Sequence, residues 1–183
     1  MATGDRPTRP LQTGEPQRLL QWCYNDRERA IVILAWRGGL RRAEIVALMG
    51  HDVEVTPGKG SKLHIRCGKN NSSRFVGLTE QDTRILLPLL RAGPVIRNRT
   101  GGPVHVNQIY RTVSWLSRRA GLKGRVHPHA LRHTYAMNLL DEGFGMREIQ
   151  RLLGHSNINT TRVYLESGGG DEAVAKSTER KEW

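Results

Sequence analysis

The stretch HPHALRHT, His127 to Thr134, places four basic or titratable side chains within eight residues of a segment that must also supply core. Read as the start of a helix running from Pro128 to Glu142, it sets His129 and Arg132 at i and i+3, so both project from one face. Two other stretches share this polar density. Upstream lies Gly39-Leu40-Arg41-Arg42-Ala43-Glu44-Ile45; downstream, Leu152-Leu153-Gly154-His155 is followed by Tyr164. Arginine forks suit the non-bridging oxygens of a phosphodiester and neutralise charge that builds in its transition state. Histidine moves protons near neutral pH, and a tyrosine oxygen serves as a covalent nucleophile.

The rest of the chain reads as scaffold for these stretches. Residues 1–13 form an arm, and from Gly14 the pattern turns helical, with Leu19, Leu20, Cys23 and Tyr24 leading into Ile31, Ile33, Leu34 and Trp36. Gly38-Gly39 stops that helix, and Arg42 to Met49 begins another. Between 53 and 78 the period changes. VEV, LHIRC and RFVGL, separated by TPGKGSK and GKNNSS, predict a three-stranded antiparallel meander. Thr79 caps a following helix, with Asp82 three residues on and a stripe of Ile85, Leu86, Leu89 and Leu90. Further helices are expected over Val106–Ala120, Met146–Leu153 and Thr160–Leu165. Ser167 to Gly170 reads as a linker into a charged tail helix.

Composition bounds the partner. Across 183 residues, 29 Lys+Arg against 17 Asp+Glu give a net charge of +12, which favours an anionic polymer. Aromatics make up only 5%, too few for the stacking platforms of single-strand binders, so arginine-rich phosphate contacts to a duplex fit better. The longest apolar cluster, Ala30 to Trp36, falls far short of the roughly 18 residues of a membrane span. Cys23 and Cys67 make neither a disulfide framework nor a zinc cluster.

The motifs GLRxxE, HxLRHT and LLGHxxxxTTxxY, in this order and at these spacings, resemble the catalytic domain of the tyrosine recombinase (phage integrase) family from about Leu11 to Glu166. The resemblance implies an α+β, mainly helical catalytic-domain fold with a small three-stranded antiparallel sheet. It also implies a site-specific recombinase or integrase that cuts and rejoins DNA through a 3′-phosphotyrosyl link. By position, Arg41 and Arg132 would clamp the scissile phosphate, His129 would accept the tyrosine proton, His155 would bond a phosphate oxygen, Tyr164 would be the nucleophile and Glu44 would support the site. The family places a lysine that protonates the leaving oxygen between the second and third strands. Lys69 fits that turn better than Lys59, which sits in the preceding one, because LHIRC and RFVGL flank it. No cofactor or metal is implied. The expected partners are double-stranded DNA and further copies of the chain, as a tetramer on DNA, in the cytoplasm of a prokaryotic cell or phage host. The expected organisation is an arm at 1–13, a catalytic domain at 14–167, and a linker with a tail helix at 168–183 able to dock on a neighbouring subunit. Most members of the family carry a helical core-binding domain ahead of the catalytic one, whereas about 13 residues precede the first expected helix here. The resemblance therefore leads us to expect either the catalytic half alone or a minimal recombinase.

Two other readings of the same residues compete. His129 and His133 have zinc-pair spacing, but a metalloprotease pattern requires Glu after the first His, and Ala130 stands there. Met146 to Leu165 alone would suit a helix-turn-helix DNA reader. Neither accounts for Arg41 together with the His129/Arg132 pair.

Overall fold

The computed structural model describes residues 10–66, 73–124, 126–154 and 169–179. Its helices are α1 (Glu15–Gln21), α2 (Asp26–Trp36), α3 (Arg42–Ala47), α4 (Glu80–Leu86), α5 (Val106–Arg119), α6 (Pro128–Asp141), α7 (Met146–Leu153) and α8 (Gly169–Thr178). The strands β1 (Val53–Thr56), β2 (Gly60–Ile65) and β3 (Arg74–Leu78) form an antiparallel sheet in that order, with Leu63 paired to Val53 on one side and Val76 on the other.

α2 is the hub. Ala30 to Trp36 are all buried, and the helix packs on α1, α3, α4, α5 and α6. The continuous helix expected from Gly14 to Trp36 is instead two. Asn25 accepts from the Glu28 amide at 2.9 Å, and the Glu28 carboxylate accepts from the Tyr24 amide at 2.9 Å, so a fresh N-terminus begins at Asp26. That Asn-x-x-Glu signal outranks the apolar spacing running across it. At the far end of α2, Gly39 takes φ +62, and a Cβ there would sit 2.4 Å from the Tyr135 ring. Only glycine turns the chain there and lets it pass against α6.

Thr79 caps α4 as expected, its hydroxyl accepting from the Asp82 amide at 3.2 Å. Asp82 also pairs with Arg37 at 3.2 Å, and both side chains are buried. The expected stripe leaves the α-helix after Leu86, since Pro88 lies in a short 3-10 turn over Leu87–Leu89.

The ends differ from expectation in two places. Leu11, assigned to the arm, is buried, and its amide donates to Thr134 Oγ1 at 2.7 Å. Gly169 and Gly170, assigned to a linker, already belong to α8. That helix packs on β3 of its own chain: Val174 and Ser177 are buried, and the Gly77 amide donates to Ser177 Oγ at 2.9 Å. Docking offsets the poor helix propensity of the two glycines. The helix expected over 160–165 lies outside the described residues.

Candidate active site

Three segments distant in sequence meet at the C-terminal end of α7. Arg41 caps α3, and its backbone amide donates to Glu44 Oε2 at 2.7 Å while its Nη1 donates to Oε1 at 2.9 Å. Arg132 projects from the first turns of α6 and is buried. Its Nη1 donates to the Gly39 carbonyl and its Nη2 to the Leu153 carbonyl. Arg41 Nη2 donates to the next carbonyl, Gly154, at 2.9 Å. A helix C-terminus leaves its last carbonyls without helical partners and carries partial negative charge, which suits cations. Gly154 ends α7 in the left-handed region at φ +64, so Arg151 and Gln150 accept from its amide while its own carbonyl stays available to Arg41.

Arg41, Arg42, Tyr110, His127, His129 and Arg132 line one cavity of about 470 Å³. Arg132 is held below the ordinary arginine value, at about 10, by burial first and then by Arg41 and Arg74, with Glu44 opposing. It stays protonated at neutral pH. His129 is pushed below its ordinary value by partial burial, then by Arg132, His133, Arg41 and Arg42. Its neutral form, the one that accepts a proton, is therefore favoured. Burial alone would raise Glu44, but hydrogen bonds and charge from Arg74, then the bonds from Arg41, bring it down to about 2.

The structure therefore brings together four of the sequence-derived residues, Arg41, Glu44, His129 and Arg132. Lys69, His155 and Tyr164 lie outside the described residues. Lys59 sits in the exposed turn between β1 and β2. His133 is exposed on α6.

Two features escape the motif reading. His127 is the N-cap position of α6. Its ring stacks with Tyr110 (6.0 Å between centroids) and with His129 (6.4 Å), and the Arg42 guanidinium lies 5.9 Å from the centre of the Tyr110 ring. Nothing in the local sequence pairs α5 with this turn. The second is Arg74, buried at the start of β3 and bidentate on Glu44 at 2.9 and 2.7 Å. Its signal was present, since period-two alternation puts Arg74 on the face of Val76 and Leu78.

The phage integrase family profile matches residues 10–168. A tyrosine recombinase of Pseudothermotoga lettingae is 34% identical over 160 residues, covering 85% of this chain and 55% of that protein. Tyrosine recombinase XerC of Lactobacillus delbrueckii subsp. bulgaricus is 30% identical over 168 residues, covering 85% and 53% respectively. Among solved structures, the integrase from mycobacterium phage Brujita superposes with a TM-score of 0.74 at 26% identity, over 94% of this chain and 58% of that one. The chain spans about half the length of the curated relatives it matches.

Proposed function

The chain belongs to the phage integrase family, and from that premise we propose that it breaks and rejoins duplex DNA at a specific site through a 3′-phosphotyrosyl intermediate. The observation that carries this reading is the convergence of Arg41 and Arg132, 91 positions apart in sequence, with His129 on one cavity. Arg41 and Arg132 bind the non-bridging oxygens of the scissile phosphate and stabilise the charge that gathers there. Tyr164 Oη attacks phosphorus and gives its proton to His129. The P–O5′ bond breaks, and the leaving oxygen takes a proton from Lys69. Rejoining reverses these steps with a 5′-hydroxyl as nucleophile, and the phosphotyrosyl bond preserves the energy of the broken phosphodiester. His155 bonds a phosphate oxygen, and Glu44 holds Arg41.

The sheet supports Lys69 over Lys59. Arg74, beside Glu44, pairs with Ile65, so the end where β2 gives way to β3 faces the arginine cluster. The turn bearing Lys59 is at the opposite end of β2, about 16 Å away at a strand rise of about 3.3 Å per residue. Arg111 and Arg118 line a depression of about 410 Å³ that shares Tyr110 with the cavity, and they supply sequence-blind phosphate contacts. Complete strand exchange joins two duplexes and requires several copies of the chain on DNA. Among the described residues no helix is long and apolar enough to cross a membrane.

A nicked suicide duplex carrying the target site tests the reading. Wild-type protein forms a denaturation-resistant adduct at the 3′ end of the break, and Tyr164→Phe forms none. An adduct of equal yield in Tyr164→Phe, or none in wild type on any site recovered by selection, overturns it.

A further inference from the structure

We propose that Arg74 is a positioning residue that sets the two phosphate-binding arginines, acting through the Glu44 carboxylate and the last turn of α7; this rests on the strand-transfer reading above. Three successive carbonyls at the end of α7 each take a different arginine. Leu152 accepts from Arg74 Nε at 2.7 Å, Leu153 from Arg132 Nη2, and Gly154 from Arg41 Nη2 at 2.9 Å. The three come from β3, α6 and the start of α3, so the turn ties together elements that share no local sequence.

Glu44 ties them a second time. Its Oε1 accepts from Arg41 Nη1 and Arg74 Nη1, both at 2.9 Å. Its Oε2 accepts from the Arg41 amide and Arg74 Nη2, both at 2.7 Å, and lies 3.9 Å from Arg132 Nη1. Arg41 and Arg132 line the cavity; Arg74 does not. Its fork grips Glu44 in the bidentate geometry that fixes a carboxylate in orientation as well as in place, while its Nε holds α7. Gly154 leaves room for this arrangement: a Cβ there would fall 2.7 Å from Arg74 Nη1. Arg74 thus holds the carboxylate that holds Arg41, and anchors the turn that holds Arg132.

Among the described residues, the charged groups facing Glu44 are Arg41, Arg74 and Arg132. Without Arg74 the carboxylate keeps its burial and loses its principal partner, so its proton affinity rises. A protonated Glu44 accepts fewer bonds and releases Arg41. Single-turnover cleavage of the suicide duplex by the full chain, with Arg74→Gln and Arg74→Lys, is followed from about pH 5 to 8 alongside the carbon-13 carboxyl titration of Glu44 and duplex affinity. In Arg74→Gln the Glu44 midpoint moves up from about 2 to the ordinary carboxylate range or above. Cleavage drops by about a hundredfold at the acid end and by less at the alkaline end, and duplex affinity stays within about threefold. Arg74→Lys keeps the cation without the fork and falls between; it carries the test if Arg74→Gln does not fold.

A Glu44 midpoint that does not move overturns the proposal. So does a variant that moves the midpoint yet cleaves as wild type, or a loss of duplex affinity as large as the loss of cleavage. If wild type forms no adduct, the strand-transfer reading fails on its own, and the Glu44 midpoint alone decides whether Arg74 governs the carboxylate.

Discussion

Replacing Glu44 with Gln removes a carboxylate in contact with three guanidiniums, and the structure says how the cost should depend on pH. The Glu44 side chain is 9% exposed, and its partner Arg74 is 7% exposed. Breaking a buried pair by neutralising one member leaves an uncompensated buried charge, at a cost of about 3–5 kcal/mol. The proton linkage gives a similar figure. Glu44 is held at about 2 against an ordinary 4.5, a gap worth about 3 kcal/mol at about 1.4 kcal/mol per unit. The folded value is the depressed one, so this stability is fully present above the unfolded value near 4.5 and disappears as pH falls toward 2. Urea unfolding of wild type and Glu44→Gln at neutral pH should therefore differ by about 3 kcal/mol. The gap should narrow steadily from about pH 5 to pH 3 as the wild type loses its advantage. A difference that stays constant over that range would falsify the ion-pair account and leave only side-chain packing to explain the variant.

Other substitutions probe the site and its frame. Arg132→Lys keeps the charge but loses the fork that spans the Gly39 and Leu153 carbonyls; adduct formation should fall about a hundredfold or more in single-turnover assays, with duplex affinity changed far less. Arg42→Ala removes one of the cations that depress His129, so the acid limb of the cleavage rate should shift to higher pH; an unchanged limb would separate His129 from the proton transfer. Gly77→Ala places a Cβ 2.3 Å from Ser177 Oγ, and should release α8 from β3, measured as faster proteolysis within 169–179. Equal protection in that variant would show that α8 does not depend on the Gly77 contact.

Much of the fold was legible because its signals are local. Thr79 and Asp82 announce the start of α4, and the alternation of RFVGL announces a strand. The break before α2 was also written locally, as Asn25 and Glu28, but a long apolar stripe spoke louder. What the sequence could not supply was the partner of each polar group. Arg41 and Arg132 are recognisable from their motifs, yet that main-chain carbonyls of Gly39, Leu153 and Gly154 hold them follows only from how α2, α6 and α7 pack. Arg74 stood on the inward face of its strand, which marks it as buried without saying against what. The stacking of His127 with Tyr110 joins α5 to α6 through tertiary contact alone.

The charge of the cluster fits the proposed reaction better than the charge of the whole chain does. Among the described residues, Arg41, Arg74 and Arg132 face a single carboxylate, Glu44, and Arg42 also lines the cavity, leaving an excess of three positive charges. A phosphodiester brings one negative charge, and attack by a phenolate adds a second in the five-coordinate transition state. The excess therefore matches the transition state more closely than the ground state, which is the condition for lowering a barrier rather than merely tightening binding. Such a cluster would repel itself without compensation. Glu44 supplies part of that, and the carbonyls of Leu152, Leu153 and Gly154 add fixed dipoles at the negative end of α7. Dipoles hold the guanidiniums in place without cancelling their formal charge, so the site keeps its surplus positive charge for the phosphate. The same turn leads directly in sequence to His155 and, nine residues later, to Tyr164. A displacement of the end of α7 moves the guanidinium scaffold from which the chain leads on to the proposed nucleophile, and it should affect the rate of cleavage before it affects the affinity for DNA.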